Sequence, residues 1–291
     1  MPFLYTLIII YFSLIVNMLV IKILPFPYNS MEGDFFMKFF VLTKRSLLSL
    51  AFCLIIGALA ATVAVSSAVK AVQTTAEPKI VPVYRVEGGK NQVAISFDAA
   101  WGDEQTEHLL NILDENDVKA TFFLVGDWVD KYPDDVKEIH ERGHDIGNHS
   151  DTHPHMPQLD ISGENAEVQA CNEKIKALTG QSPTLFRPPY GDYDNNLVNC
   201  VKSLGMYCVQ WDVDSLDWKD PSPEQMTKTV LDKVKDGSIV LMHNGAKNTP
   251  AALPNIIKGI RDKGFEIVLI KDLIPEGEYY TDVQGELHLS N

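Results

Sequence analysis

The stretch Val93-Ala94-Ile95-Ser96-Phe97-Asp98-Ala99-Ala100-Trp101-Gly102 joins a short apolar run to a carboxylate and a glycine. The β-prone run Val93–Phe97 predicts a buried strand, and Gly102-Asp103 predicts the start of a helix that continues to Leu113. A strand that leads directly into a helix is typical of a βα unit. Asp98 would then stand at the carboxyl end of a strand.

The same alternation of strand and helix continues along the chain. Further strands are predicted at 120–125, 145–148, 185–186, 206–211, 238–242 and 265–270. Helices are predicted between them, ending near 142 and then at 165–178, 195–204, 223–234 and 250–263. About seven such units in fewer than 200 residues predict an α/β fold, a closed or nearly closed barrel of parallel strands. Active sites of such barrels lie at the carboxyl ends of the strands.

Five separated motifs fall at or just after those predicted strand ends. They are the Ser96–Gly102 stretch, His149-Ser150-Asp151-Thr152-His153, Arg187-Pro188-Pro189-Tyr190-Gly191, Asp214-Ser215-Leu216-Asp217-Trp218 and Leu241-Met242-His243. Together they supply two carboxylates, a histidine pair, an arginine and a further histidine. These are the components of a metal-assisted hydrolase.

The histidine pair carries the metal hypothesis. His149 and His153 are four residues apart, a spacing that can place both imidazoles on one side of a helix or tight turn, where they share a divalent ion. A solvent-exposed polar loop explains the same residues equally well when they are taken alone. Asp98 and His243 at neighbouring strand ends favour the ligand interpretation.

The remaining charged residues suit acid–base chemistry. Asp98 can act as general base, and Arg187, mounted before two prolines, can hold it ionised. His243 can act as general acid, kept protonated by Asp217. The alternatives are a helix cap for Asp98 and a surface salt bridge for Arg187. For His243 the alternative is a core histidine, and for Asp217 it is a turn residue.

The aromatic residues of the motifs suit a sugar. Tyr190, between a proline and Gly191, places a backbone N–H in a rigid bend that suits an oxyanion. Tyr190, Trp101 and Trp218 can also form the walls of a sugar-binding groove, because aromatic faces pack on pyranose rings. A core aromatic is the alternative for Trp218.

With these five motifs the chain resembles the NodB-like polysaccharide deacetylases, carbohydrate esterase family 4, over roughly residues 91–275. The resemblance implies a distorted (β/α)7 barrel and metal-dependent removal of N- or O-acetyl groups from a carbohydrate polymer. It implies a divalent metal ion, zinc first, with cobalt or nickel as alternatives. In this family's pattern Asp98 matches the catalytic base, and Arg187 matches the residue that orients the base. His149 and His153 match the metal ligands, and Tyr190 matches the residue whose backbone amide faces the oxyanion. Asp217 and Trp218 match the fourth motif, and Leu241 and His243 match the fifth.

The first motif departs from the family's pattern. The family commonly reads Thr-Phe-Asp-Asp, whose second acid binds metal, and Ala99 stands there in this chain. The metal would keep two protein ligands of the usual three, with Asp103 or His155 as candidate substitutes. The Phe-Asp-Ala-Ala-Trp-Gly variant with its short N-terminal anchor resembles a sporulation-associated bacterial subgroup.

The favoured functional hypothesis is therefore a hydrolase that removes N-acetyl groups from a cell-wall polymer, with peptidoglycan amino sugars as the expected substrate. One alternative is a catalytically weakened barrel that binds glycan as a morphogenetic factor. Ala99, in place of a metal-binding acid, supports this alternative. Another is an esterase acting on O-acetylated polysaccharide, which would use the same residues.

The first part of the chain predicts export. Residues 1–21 and 46–69 carry no charge, and either run is long enough to span a bilayer. Four basic residues lie between them, so the positive-inside rule places everything after residue 70 outside the cytoplasm. A signal peptide starting at Met31 or Met37 is the alternative, with residues 1–30 an upstream overextension, and cleavage would release a secreted domain.

These features give a domain prediction and a set of partners. We expect a hydrophobic N-terminal segment and basic loop at 1–45, a transmembrane helix or signal anchor at 46–69, a linker at 70–90, the deacetylase-like domain at 91–275 and a C-terminal tail at 276–291. The protein would be held at the bacterial cell membrane by its N-terminal helix and act on cell-wall glycan. Beyond residue 74 there are 20 basic and 37 acidic residues, a net charge of −17. Such a surface excludes general nucleic-acid binding.

Overall fold

A computed structural model of the chain describes residues 51–52, 55–63, 65–66 and 78–290. The chain divides into two compact units, Met1–Pro78 and Lys79–Asn291. The described residues between 51 and 66 are helical and exposed. Within the described residues, no helix combines the length and the apolar character needed to cross a membrane. The predicted segment 1–45 lies outside the described residues, and the predicted span 46–69 is described only in part.

The second unit contains a large sheet and a small one. Its strands, in chain order, are β1 (Arg85–Val86), β2 (Gln92–Ala99), β3 (Thr121–Leu124), β4 (Asp145–Asn148), β5 (Leu185–Phe186), β6 (Tyr207–Cys208), β7 (Val213–Asp214), β8 (Ile239–His243), β9 (Glu266–Val268), β10 (Tyr279–Thr281) and β11 (Glu286–Leu289). The large sheet has the order β6-β5-β4-β3-β2-β8-β7, with β9 beside β2, and every pair in it is parallel.

Helices connect the parallel strands and cover the outside of the sheet. They are α1 (Thr106–Glu115), α2 (Gly126–Lys131), α3 (Pro133–Glu141), α4 (Ile161–Thr179), α5 (Asn195–Ser203), α6 (Pro223–Lys233), α7 (Thr249–Asp262) and α8 (Ile270–Leu273). α7 packs against both α1 and α6, and α4 packs against α2, α3 and α5. The predicted α/β arrangement of parallel strands is confirmed. In the described part of the chain no ladder joins β6 to β7, so the sheet is an open half-barrel.

Alternation along β2 separates the apolar core from the site. Val93, Ile95, Phe97 and Ala99 belong to the large apolar cluster that includes the helices. Successive side chains of a strand point to opposite faces. Asp98 therefore leaves the sheet on the face opposite to this cluster, towards the inside of the half-barrel.

Three predicted elements differ from the structure. The helix expected to run to residue 142 is broken into α2 and α3 at Tyr132, because Pro133 has no N–H to continue the first helix and starts the second. The strand expected at 206–211 is reduced to Tyr207–Cys208, followed by an isolated parallel bridge between Val209 and Val83. The strand expected at 265–270 ends at Val268, and Ile270 begins α8.

The two ends of the second unit form the small sheet. β1 pairs in parallel with β11, and β11 pairs antiparallel with β10. β1 lies inside the stretch expected to be a linker, and β10 and β11 lie inside the expected tail. Strands of two to four residues joined across about two hundred positions leave no local periodicity, which is why the sequence pattern does not show them.

Parallel strands bring their carboxyl ends to one edge of the sheet. Asp98 pairs in register with His243 on the neighbouring strand β8. Asn148 ends β4 and pairs with Phe186, the last residue of β5. His149 and Arg187 follow these two residues directly, so the predicted site residues meet at this edge.

Gly147 provides the space in which Phe123 packs. The two residues are partners in the β3–β4 ladder. We expect Gly147→Ala to lower the free energy of unfolding by about 1–3 kcal/mol, because a Cβ would lie 2.5 Å from Cδ1 of the Phe123 ring. Urea unfolding followed by tryptophan fluorescence measures this loss.

The matched control is Phe123→Leu alone and combined with Gly147→Ala. Since the smaller side chain leaves room for the methyl group, the combined loss should fall clearly below the sum of the two single losses. Additive losses would contradict the steric explanation.

Candidate active site

A buried ion pair occupies the centre of the carboxyl edge. Nη1 of Arg187 donates to Oδ1 of Asp98 at 2.7 Å. Arg187 is 0% exposed and Asp98 is 4% exposed. Two opposite charges this deep in the protein stabilise each other strongly, but each would cost several kcal/mol if left alone. The predicted pairing of these two residues is present.

Arg187 is fixed by more than the carboxylate. Its Nη2 donates to the backbone oxygen of Gln210 at 3.0 Å. The guanidinium lies 4.0 Å from the centre of the Phe123 ring, and the ring of Trp211 is 5.6 Å away. These contacts hold the guanidinium with Nη1 directed at Asp98.

The two histidines of the second motif face each other beside this pair. Nε2 of His149 lies 3.2 Å from Nε2 of His153 and 3.5 Å from Oδ2 of Asp98. Nδ1 of His149 is 2.7 Å from the backbone oxygen of Arg187. A carbonyl oxygen can only accept, so Nδ1 carries the proton and Nε2 presents a lone pair to His153. Burial lowers the pKa of His149, and burial together with His149 lowers the pKa of His153 to about 4.

This geometry fits a divalent ion between the histidines. Two imidazole nitrogens bound to one tetrahedral zinc at 2.0–2.1 Å would be about 3.3 Å apart, close to the separation found. Metal-binding histidines usually donate the other ring N–H to a carbonyl or carboxylate, as His149 does to Arg187. Both imidazoles are neutral at neutral pH, which is the form that binds metal.

The loop between the histidines adopts a demanding backbone conformation. Ser150 and His153 have φ of 68° and 58°, in the left-handed region that side chains other than glycine seldom adopt. The N–H of His153 donates to Oγ of Ser150. Glu167 on α4 accepts the N–H groups of Asp151 and Thr152 through one oxygen. These bonds offset the cost of the turn, and Glu167 was not among the predicted site residues.

A second carboxylate orients the histidine of the fifth motif. Oδ1 of Asp217 is 2.7 Å from Nδ1 of His243, and Oδ2 accepts the backbone N–H of the same residue at 2.7 Å. Oδ2 also accepts the hydroxyl of Thr249 at 2.9 Å. Since the carboxylate accepts from Nδ1, Nε2 of His243 is left for proton transfer. Thr249 is a second positioning residue that the sequence did not reveal.

The pKa values of Asp98 and His243 are shifted in opposite directions. Burial opposes ionisation of Asp98, but the charge and the hydrogen bond of Arg187 outweigh it, and the pKa of Asp98 is lowered. Burial also opposes the charged form of His243, but its hydrogen bond and ion pair with Asp217 outweigh it, and the pKa of His243 is raised. These shifts favour an ionised base on one side of the site and a protonated donor on the other.

Aromatic side chains line the rim. Trp101, Tyr190 and Trp218 are 47%, 59% and 52% exposed, unusually open for residues of this size. The Trp101 ring lies 5.0 Å from that of His243, and the Tyr190 ring lies 4.5 Å from that of His153. Leu241 is buried on β8, two residues before His243.

Gly245 allows Trp101 to approach the end of β8. A Cβ at position 245 would lie 2.5 Å from the backbone oxygen of Trp101 and 2.7 Å from its Nε1. Only glycine fits there without movement of the tryptophan. Asn244 adds a hydrogen bond to the backbone oxygen of Gly102, the next residue.

The third metal ligand of the usual set is missing. Ala99 is fully buried in the apolar cluster. Within the described residues, no third acidic, His or Cys ligand atom lies with those of His149 and His153 in a group whose atoms are all within 4.8 Å of one another. A group that meets this condition, Asp282, Glu286 and His288, lies at the β10–β11 hairpin. Neither candidate substitute, Asp103 or His155, joins the pair. His155 binds Asp192 through Nδ1 at 2.6 Å and stacks on Tyr190.

Comparison with known proteins shows the family of the chain. The model of the family described as Polysaccharide deacetylase matches residues 85–209. A Bacillus cereus peptidoglycan-N-acetylglucosamine deacetylase is 34% identical over 188 residues, covering 63% of this chain and 68% of that protein. The chain belongs to the polysaccharide deacetylase family. The expected resemblance is confirmed.

Two further relatives of this deacetylase family bear on function. The uncharacterized protein YlxY of Bacillus subtilis is 36% identical over 67% of this chain, which spans 61% of the length of YlxY. The crystal structure of wild-type BA3943 from Bacillus anthracis, described as a CE4 family pseudoenzyme, matches with a TM-score of 0.65 and 36% identity over 67% of this chain and 69% of that one. A mutant of BA3943 is described as having restored enzymatic activity.

The Asp217–His243 contact can be tested without any substrate. Asp217→Asn removes the negative charge but keeps an oxygen for the backbone N–H, so the pKa of His243 should fall by about one unit or more. Heteronuclear NMR titration of the His243 ring measures this shift.

Asp214→Asn is the matched control, because Asp214 raises the pKa of His243 through charge alone and less than Asp217 does. Its shift should be in the same direction and clearly smaller. Equal shifts in the two variants would mean that the direct contact does not set the charge of His243.

Proposed function

We propose that this protein is a metal-dependent deacetylase that removes N-acetyl groups from a cell-wall glycan, with the amino sugars of peptidoglycan as the substrate. The observation that carries the proposal is the buried Asp98–Arg187 pair 3.5 Å from His149, because it holds a carboxylate ionised beside a pair of neutral imidazoles. The family membership and the names of its peptidoglycan-deacetylating relatives support this choice of substrate.

Each side chain then has one role. His149 and His153 would hold a divalent ion, zinc first and cobalt or nickel as alternatives, which would supply Lewis-acid polarisation of water and of the acetyl carbonyl. Asp98 accepts the proton of the attacking water, and Arg187 keeps it ionised until then. His243, held by Asp217, donates a proton to the departing amine nitrogen.

The rim residues position the polymer. The backbone amide of Tyr190 faces the oxyanion that forms on the acetyl oxygen. The exposed rings of Trp101, Tyr190 and Trp218 form an apolar wall against which sugar rings pack, and Leu241 lines the floor beneath His243. The same arrangement would act on an O-acetyl ester, where the departing group is an alkoxide instead of an amine.

A weakened, glycan-binding protein is the second candidate. Its specific support is Ala99, which leaves the metal two protein ligands, together with the similarity to BA3943, a protein described as a pseudoenzyme. Against it stand the two pairs Asp98–Arg187 and His243–Asp217, each joined by a contact of 2.7 Å. A glycan-binding surface alone needs neither of them.

Release of acetate decides between the two candidates. The chain, supplied with zinc, cobalt or nickel in turn, should release acetate from peptidoglycan and chitooligosaccharides more than from acetylated xylan. Asp98→Asn should abolish this release and still bind zinc in calorimetric titration, because it removes the base and leaves the two imidazoles in place. Absence of acetate from every glycan with every metal would favour the glycan-binding candidate.

Ala99→Asp tests the missing ligand. Without metal, a carboxylate among apolar side chains should lower the free energy of unfolding by about 1–3 kcal/mol. With zinc, the same carboxylate should tighten metal binding, restore the melting temperature and raise activity at limiting metal, because binding to the folded state stabilises it.

Ala100→Asp is the matched control, since it adds the same charge one residue further along. It should not tighten zinc binding. If Ala99→Asp binds zinc no better than the parent chain, another residue already fills the third position, and Asp103→Asn and His155→Ala become the variants to compare.

We also propose that the N-terminal segment holds residues 70–291 outside the cytoplasm at the bacterial membrane. The basic residues between the two uncharged runs support this orientation. Protease added to intact protoplasts should degrade the domain and spare a cytoplasmic marker. Full protection of the domain under those conditions would reverse the orientation.

A further inference from the structure

The imidazole of His155 lies at the rim of the candidate active site, next to Tyr190. Its ring stacks on the Tyr190 ring with the two centres 4.2 Å apart and the planes 18° from parallel. The Tyr190 ring in turn meets the edge of the His153 ring, with centres 4.5 Å apart. Three rings therefore follow one another from an expected metal ligand along the rim, and His155 is the last of them.

The two chain segments that carry this stack are held in place. Met156, the residue after His155, is 0% exposed and belongs to an apolar cluster. Asp192, two residues after Tyr190, donates its backbone N–H to the oxygen of Pro189 at 3.0 Å. Nδ1 of His155 lies 2.6 Å from Oδ2 of Asp192, and this contact joins the two segments. The imidazole is therefore held at one ring face and at its Nδ1 edge.

The remaining surface of this imidazole is accessible. The side chains of His155 and Asp192 are 46% and 50% exposed. Tyr190 covers one face of the imidazole and Asp192 occupies the Nδ1 edge, so the other face and the Nε2 edge are the parts that a ligand can reach. Since the carboxylate accepts from Nδ1–H, Nε2 of the neutral ring presents a lone pair.

We propose that His155 and Asp192 form a sugar subsite, which binds a further neutral pyranose unit of the glycan beside the unit at the expected metal; this inference rests on the proposed function. An exposed aromatic ring packs on the C–H face of a pyranose. Hydroxyl groups of the same sugar can donate to Nε2 of His155 and to the carboxylate of Asp192, because both are acceptors. The ring stack joins this surface to His153, so one polymer can occupy the subsite and the metal position together.

NMR titration of the full chain with the tetramer of N-acetylglucosamine, in the presence of zinc, tests the subsite. The tetramer should shift the ring resonances of His155. His155→Ala should weaken tetramer binding about three- to tenfold, because it removes the ring face and one acceptor. His155→Phe keeps a flat ring beside Tyr190 and should recover part of this loss.

Two further measurements on His155→Ala separate sugar binding from a structural effect. The midpoint of urea unfolding should stay the same, because an exposed ion pair contributes little to stability. The zinc affinity in calorimetric titration should also stay the same, since the metal is held by His149 and His153. His140→Ala is the matched control, because it removes the same side chain in the last turn of α3, just before the amino end of β4, and it should leave the Kd of the tetramer unchanged.

The inference is overturned if the tetramer does not bind or binds without shifting His155, or if His155→Ala and His140→Ala bind it equally well. It is also overturned if His155→Ala loosens zinc, which would make the imidazole a metal ligand. If the parent chain binds the tetramer through His155 and releases no acetate from any glycan, the deacetylase proposal fails and the subsite stands. If the parent chain releases acetate and His155→Ala binds the tetramer normally, the subsite alone fails.

Discussion

The buried contact between Arg187 and Asp98 is the interaction on which the candidate active site depends. The guanidinium is held by the Gln210 backbone oxygen and the Phe123 ring, and it keeps Asp98 ionised although the carboxylate is out of water. The backbone oxygen of the same arginine orients His149. One residue therefore fixes both the charge of the predicted base and the direction of a predicted metal ligand. A pair this deep adds little net stability over an apolar pair, so its effect on the site lies in the charge that it fixes on Asp98.

The second pair, His243 with Asp217, favours the protonated form of its histidine. His243 lies on the strand adjacent to that of Asp98. Asp98 on β2 and His243 on β8 are partners in the ladder, so register alone brings the predicted base and the predicted acid together. Asp217 keeps the proton on His243, and Arg187 keeps the proton off Asp98. Hydrolysis of an amide needs both states at one pH, because water must lose a proton and the leaving amine must gain one.

The sequence predicted the parallel strands and their carboxyl-end residues well, because apolar runs that end in a polar residue are local patterns. It did not predict the roles of Glu167 and Thr249, whose bonds to the histidine loop and to Asp217 span many residues and leave no mark on the surrounding pattern. The small sheet of β1, β10 and β11 was missed for the same reason. The break at Pro133 could have been predicted, since proline ends a preceding helix.

The residue at position 99 distinguishes the two candidate functions. Its effect on activity depends on whether the buried Asp98–Arg187 pair holds the rest of the site in place. A double-mutant cycle in urea unfolding, with Asp98→Asn, Arg187→Met and both, measures that most directly. Each single variant should lose about 3–5 kcal/mol, because it leaves a buried group without its partner. The double variant should lose at least about 2 kcal/mol less than the sum of the two. Losses that simply add would show that the two charges do not depend on each other, and would contradict this account of the site.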